Sequence, residues 1–257
     1  MLYQVQQYIK FLLKSTNQHG VHSPFVYNLA TRCFYDKTKY PQYHNIKSFR
    51  KRLKQVNDKI EVTDFGAGSN TLKSKSRAIS DMVKHVATSQ KNAKLLFRIA
   101  NYFKPNTVLE LGTSLGLATQ ALALAQKNSK IITIEGCPEL SNYTKTQFKS
   151  QQLHNIQTLT GPFKDVVPEI KSSKFDLVFF DGNHQKDATL SYFEMLLPKA
   201  HNDSVFIFDD IYWSKGMTAA WNIIKQHPKV TVTIDTFYWG IVFFRTEQVK
   251  EHFTIRT

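Results

Sequence analysis

"VLELGTSLG", residues 108–116, runs an apolar strand into an acid, Glu110, and a glycine-rich turn. Gly112 and Gly116 let the backbone approach a ligand closely. The apolar stretch "LATQALALA" starts a helix directly behind them, and a helix N-terminus suits the polar end of a ligand. An earlier stretch, "VTDFGAGSN" (62–70), has the same ingredients. The segment after each turn tells the two apart. After 70 comes "TLKSKSRAISD", polar and basic, with no immediate apolar helix. A Gly-x-Gly pair alone does not identify a cofactor loop, so the cofactor turn is assigned to 112–116. The 62–70 turn is then a lid or acceptor-side loop offering Asp64 and Ser69, or a plain structural turn.

From residue 107 onward the pattern is regular. Apolar strands at 107–111, 131–135, 155–159, 175–180 and 204–209 alternate with helical segments at 115–127, 138–151, 163–170, 186–197 and 214–226. That alternation predicts a parallel sheet with right-handed crossovers. The end departs from it. "KVTVTIDTFYWGIVFFR" (229–245) is two β-rich runs with no helix between, which predicts a hairpin and an antiparallel final strand.

In such a sheet, ligands bind beyond the carboxyl ends of the strands. Here those ends carry Glu110, Glu135, Asp181, Asp209 and Asp210. A core does not call for this, because buried carboxylates without partners are costly. Glu135 ends its strand 25 residues after Glu110, where an acid can accept both hydroxyls of a ribose. Three carboxylates at 181, 209 and 210 cannot all stay ionised at close range unless a cation sits among them. Oxygen ligands of this kind suit Mg²⁺ or Ca²⁺ more than zinc.

At these residues the chain resembles class I S-adenosylmethionine-dependent methyltransferases. "LELGTSLG", "IITIEG", "LTGPFKDVVPEI", "FDLVFFDGNH" and "SVFIFDDIYW" are similar to successive motifs of that family, and the closest likeness is to its cation-dependent branch of catechol and caffeoyl-CoA O-methyltransferases. The likeness covers about residues 85–245. It implies a Rossmann-like α/β fold with a seven-stranded, mostly parallel sheet in the order 3-2-1-4-5-7-6. Strand 7 is antiparallel and helices lie on both faces. Carried over by position, Gly112, Thr113 and Gly116 would pass under the methionine part of S-adenosylmethionine. Glu110 would orient that loop or meet the amino group, and Glu135 with Gly136 would hold the ribose. Gly161 and Phe163 would flank the adenine. Asp181 would face both cofactor and metal, and Asp181, Asp209 and Asp210 would bind Mg²⁺.

Two positions depart from the family pattern. Asp210 stands where the branch usually has asparagine. Ala118 stands where relatives often have a serine, with Thr119 or Ser89 as substitutes. The resemblance places His184 at the offset of a general-base lysine, and a histidine of near-neutral pKa can do that work; a capping or supporting histidine is the alternative. Trp213 matches an aromatic near the acceptor.

The N-terminal part is expected to be a separate addition. Leu2, Val5, Ile9 and Leu12 recur at helical spacing, Ser23 and Pro24 start a second helix running to about Cys33, and a basic helix is expected over 43–56. A short strand (59–64) and a helix (77–104) come next. The expected organisation is 1–84 as a basic, mainly helical addition or lid and 85–257 as the methyltransferase domain. His19 and His22, in "HGVHSP", are available to a substrate or a metal. The combination of "HGVHSPF", "DFGAGS", "ELGTSLG" and "DDIYWS" resembles bacterial methyltransferases of this class.

The net charge of +14 lies in the front of the chain: residues 1–106 hold 19 Lys+Arg against 5 Asp+Glu, and residues 107–257 hold 15 of each. Such asymmetry points to an anionic partner or a solvated basic face. Two cysteines, Cys33 and Cys137, give no disulfide framework and suit a reducing, cytoplasmic setting. No apolar run reaches a membrane-spanning length, and no signal peptide is read at the start. The expected activity is methyl transfer to a hydroxyl of a small-molecule acceptor. The alternatives are ribose methylation of RNA using the basic front part, and methylation of a lipid-like acceptor at a membrane surface. Against a base-modifying enzyme, "DGNH" stands where an Asp/Asn-Pro-Pro-aromatic motif is needed. A homodimer is left open.

Overall fold

A computed structural model describes residues 2–66 and 74–257. The chain divides into two compact units: a terminal unit, Met1–Tyr35 with Lys171–Thr257, and a middle unit, Asp36–Ile170. Residues 1–84 are thus shared between the two.

The terminal unit opens with α1 (Leu2–Lys14). Its helical spacing is as expected, but its packed side is aromatic. Phe11 is buried, Tyr8 and Phe11 contact the ring of Phe237, and the Tyr3 hydroxyl donates to Thr218 at 2.7 Å. Leu2, Val5, Ile9 and Leu12 all stay exposed. Helix α2 (Pro24–Leu29) starts as expected: the Ser23 hydroxyl accepts from Val26 N, and Pro24 takes the first helical position, where no N–H is needed. It continues as a π-helical turn over Ala30–Phe34.

In the middle unit, α3 (Gln42–Leu53) buries Ile46, Phe49 and Leu53 and leaves its lysines to water. The strand expected at 59–64 is shorter. It is β1 (Lys59–Glu61), which pairs antiparallel with β2 (Ser76–Ala78) in a sheet of its own. The helix expected over 77–104 is two helices, α4 (Ile79–His85) and α5 (Gln90–Phe103). The break has a local cause: the Ser89 side chain accepts from Asn92 N and starts α5 afresh. Three parallel strands come next, β3 (Thr107–Leu111), β4 (Lys130–Glu135) and β5 (Ile156–Thr160). They are joined through α6 (Leu117–Ala125) and α7 (Pro138–Ser150), and α8 (Phe163–Glu169) ends the unit. Phe49, Leu53, Ile79, Met82 and Val83 pack with Leu115, Leu117, Cys137 and Leu140. The N-terminal helices of this unit therefore buttress the loops after β3 and β4.

The terminal unit resumes with β6 (Leu177–Phe180), α9 (Lys186–Leu196), β7 (Val205–Asp209) and α10 (Lys215–Gln226). Then come β8 (Val232–Asp235), β9 (Trp239–Phe243) and β10 (Glu251–Thr254). β6 and β7 are parallel, and β9 runs antiparallel between β7 and β8. Counting β3 to β9 as one to seven, the middle unit reads 3-2-1 and the terminal unit 4-5-7-6 with strand 7 antiparallel, as expected. The last strand differs. β10 pairs parallel with β8, so the chain does not end on the hairpin. Gly240 in β9 has no room for a side chain, since a Cβ there would lie 2.6 Å from the buried Trp221 ring.

Candidate active site

The middle unit gathers one set of groups at the ends of β3 and β4. Three residues of the loop after β3 hold positive φ: Gly112 (107°), Ser114 (47°) and Gly116 (77°). That curls the loop tightly, and a Cβ at Gly116 would strike the Phe148 ring at 2.6 Å. Glu110 sits beneath, fully buried. Its Oε2 accepts from the hydroxyls of Thr119 (2.5 Å) and Thr133 (2.6 Å). Thr133 lies opposite Glu110 in the parallel register, and its proton goes to Glu110, so Thr113 donates to Thr133 at 2.6 Å. Glu110 Oε1 is buried with no hydrogen-bond partner among the described residues. Burial pushes this carboxyl up to about 7; the two threonine hydroxyls oppose the shift and the charge of Glu135 adds to it.

Glu135 ties the loops together. Its Oε2 accepts from Ser114 N at 2.7 Å and its Oε1 from Cys137 N at 3.0 Å. Burial raises its pKa, these backbone N–H groups oppose the rise, and the charge of Asp64 adds to it. Gly161, at φ 144°, donates its N–H to Glu135 O at 2.9 Å, and Phe163 opens α8. Gly136 lies under the ring of Phe65.

The terminal unit gathers a second set. Asp181, His184 and Asp209 offer ligand atoms that all lie within 4.8 Å of one another. His184 Nε2 is 3.9 Å from Asp181 Oδ1. Asn183, His184 and Asp210 have positive φ (72°, 38° and 53°), an uncommon state for residues with side chains, so both strand-end turns are sharp. Asp210 is not in the cluster. Its carboxyl is held well above the usual range, by burial first and by the charge of Asp209 second. Trp213 N donates to Asp210 O at 2.8 Å, which closes the turn. Nearby, Tyr212 donates to Asp235 Oδ2.

Residues 109–211 match the family model described as a methyltransferase domain. Over that stretch the chain is similar to a methyltransferase domain. Relatives agree with that assignment. A catechol O-methyltransferase of Mycobacterium tuberculosis is 26% identical over 136 residues, 52% of this chain and 61% of that protein. The chain spans 58–64% of the length of the curated relatives it matches. Among solved structures, the S-adenosylhomocysteine-bound Podospora anserina methyltransferase PaMTH1 superposes with a TM-score of 0.62 at 13% identity, covering 88% of this chain and 97% of that one. The Bacillus cereus O-methyltransferase in complex with S-adenosylhomocysteine gives 0.56 at 15%, covering 83% and 95%. These likenesses establish the class I methyltransferase fold.

The expected substitutes for the missing serine at 118 both make other hydrogen bonds: Thr119 to Glu110 and Ser89 as a helix cap. Thr113 is buried and points its hydroxyl into the Glu110 network. The sequence motifs do not single out Ser114, Thr133 or Phe65. Thr133 can be found from strand register, because it falls opposite Glu110. Ser69 lies outside the described residues. His19 donates its backbone N–H to the Asn17 side chain in a short turn, and among the described residues neither it nor His22 belongs to a metal-type cluster. No helix among the described residues is long and apolar enough to cross a membrane.

The Glu110 carboxyl gives the middle unit a pH dependence of known sign. Its folded pKa is about 7 against an ordinary 4.5. The stability it contributes is fully present below pH 4.5 and is lost as pH rises through 7, up to about 3 kcal/mol. Without ligand, wild type is expected to melt at lower temperature at pH 8.5 than at pH 6. Glu110→Gln, which mimics the protonated acid, is expected to flatten that slope in calorimetric melts.

Proposed function

We propose that the chain is an S-adenosylmethionine-dependent O-methyltransferase acting on a small hydroxyl-bearing molecule with the help of a divalent cation. The observation that carries the reading is the left-handed 112–116 loop strung between two acids, the buried Glu110 and the half-buried Glu135. Glu110 Oε1 lacks a partner among the described residues, which fits the positive amino group of the cofactor's methionine part. Each Glu135 oxygen already accepts one N–H and retains lone-pair capacity for ribose hydroxyls. When bound, the cofactor supplies a methyl group on a positively charged sulfur.

Asp181 and Asp209 are the anionic groups that would hold a cation, which lowers the pKa of a bound hydroxyl. Two carboxylates suit Mn²⁺ as well as Mg²⁺, so the His184 imidazole need not be a ligand of the cation. His184 Nε2, in the same cluster, takes the acceptor proton. The acceptor oxygen would take the methyl group that bound cofactor supplies, and His184 would hold the proton that the acceptor hydroxyl gives up. This replaces the expected Asp181–Asp209–Asp210 set with Asp181 and Asp209 served by His184. Residues 85–257 would carry the reacting groups and 1–84 would form the addition, of which 36–84 belongs to the middle unit.

The test is calorimetric titration with S-adenosylhomocysteine, followed by methyl transfer to catechol-type diols with Mg²⁺, Mn²⁺ or EDTA. Binding and cation-dependent turnover are expected. Absence of binding removes the reading. Binding with turnover indifferent to EDTA removes only the cation.

A further inference from the structure

The sequence turn at 62–66 comes to rest on the β4 end of the middle unit. Gly136, the residue after Glu135, has Phe65 directly over it: a Cβ there would lie 2.7 and 3.2 Å from two ring carbons. The ring therefore occupies the volume that any other residue at 136 would fill with its own side chain. Phe65 is 52% exposed, unusual for a phenylalanine held at a defined place.

It is held firmly. Asp64 Oδ1 accepts from Gly66 N at 3.1 Å, and Oδ2 pairs with the buried Arg77 at 3.5 Å. Arg77 Nε in turn donates to Ser74 O at 2.9 Å. Thr63 N donates to Cys137 Sγ at 3.5 Å, and Cys137 Sγ donates to Glu61 O at 3.4 Å. The chain on the N-terminal side of the ring is thus laced to the residue after Gly136, and on the other side the turn closes on Asp64.

We propose that Phe65 is the stacking wall for the adenine base of the cofactor, and that Asp64, through Arg77 and Gly66, is the residue that positions it. The inference rests on the cofactor reading above. A nucleoside whose ribose hydroxyls meet Glu135 has its base one glycosidic bond away, beside Gly136. An aromatic ring there offers a π-face to the base, and a glycine there makes room for the ring. Stacking of this kind is sequence-remote and is not visible from the 62–70 motif by itself.

The experiment is calorimetry of the full chain with S-adenosylhomocysteine for wild type, Phe65→Ala and Phe65→Trp, with S-ribosylhomocysteine as a ligand lacking the base. Phe65→Ala is expected to weaken S-adenosylhomocysteine about ten-fold, the scale of one base–aromatic stack. It should leave S-ribosylhomocysteine unchanged. Phe65→Trp is expected to keep wild-type affinity, and its indole fluorescence should change on adding S-adenosylhomocysteine. Wild type that binds while Phe65→Ala binds equally well or more tightly overturns the proposal; tighter binding would mean that the ring plugs the site. Equal weakening of both ligands by Phe65→Ala also overturns it, since that marks a structural role. Wild type that fails to bind S-adenosylhomocysteine removes the cofactor reading and this inference together.

Discussion

Replacing Asp209 with asparagine is expected to lower cation-supported methyl transfer by about 100-fold or more. Affinity for S-adenosylhomocysteine should stay within about two-fold of wild type. Asp209 is the last residue of β7 and is paired in register with Trp239 of β9, so the sheet fixes its backbone. With Asp181 it forms the anionic pair of a cluster whose ligand atoms lie within 4.8 Å. Two unit charges 4 Å apart interact by about 4 kcal/mol at the effective dielectric of a protein surface. Removing one carboxylate therefore costs a cation much of its hold, and excess Mn²⁺ should recover part of the rate. Asp210→Asn is expected to do far less, because Asp210 stands outside the cluster. A kinetic series against cation concentration checks both. A wild-type cation response in Asp209→Asn would count against the assignment.

The second large effect is expected at Glu135. Glu135→Ala removes the acceptor of Ser114 N and Cys137 N as well as the acceptor proposed for the ribose. Hydrogen bonds to a charged group contribute about 1.5–3 kcal/mol each, so losing two from the bound state should weaken S-adenosylhomocysteine by about 100-fold. Stability without ligand should change much less. Burial already holds this carboxyl above its usual range, so removing it relieves a desolvated acid while freeing two backbone donors. The measurement is calorimetric affinity beside thermal melts with and without ligand. The rise in melting temperature on adding S-adenosylhomocysteine should nearly vanish. Retained affinity would show that Glu135 only ties loops together.

The parts that can be read from the sequence are those governed by local pattern. Alternating apolar runs mark β3 to β9, and the missing helix between 229 and 245 marks the antiparallel pair. Ser23 before Pro24 marks the start of α2. The acids at strand ends are legible because each stands at the end of an apolar run. Other features depend on contacts distant in sequence or on turn geometry. Nothing in "DGNH" or "DDIYW" announces positive φ at His184 and Asp210, yet those backbones decide which side chain joins Asp181 and Asp209. "EHFT" is too short and polar to advertise β10, which exists because β8 offers it an edge. Ser89 has the chemistry of a cofactor ligand, and its role as a helix cap explains why the basic stretch after it restarts a helix.

The contact between Phe65 and Gly136 bears on how this sequence can drift. A bulkier residue at 136 collides with the ring, and a smaller one at 65 leaves a gap where the ring was. Neither position can change freely without the other, although 70 residues and several elements separate them. In descendants of this chain the two sites should therefore be exchanged as a pair, with the aromatic supplied by one segment or the bulk supplied by the other.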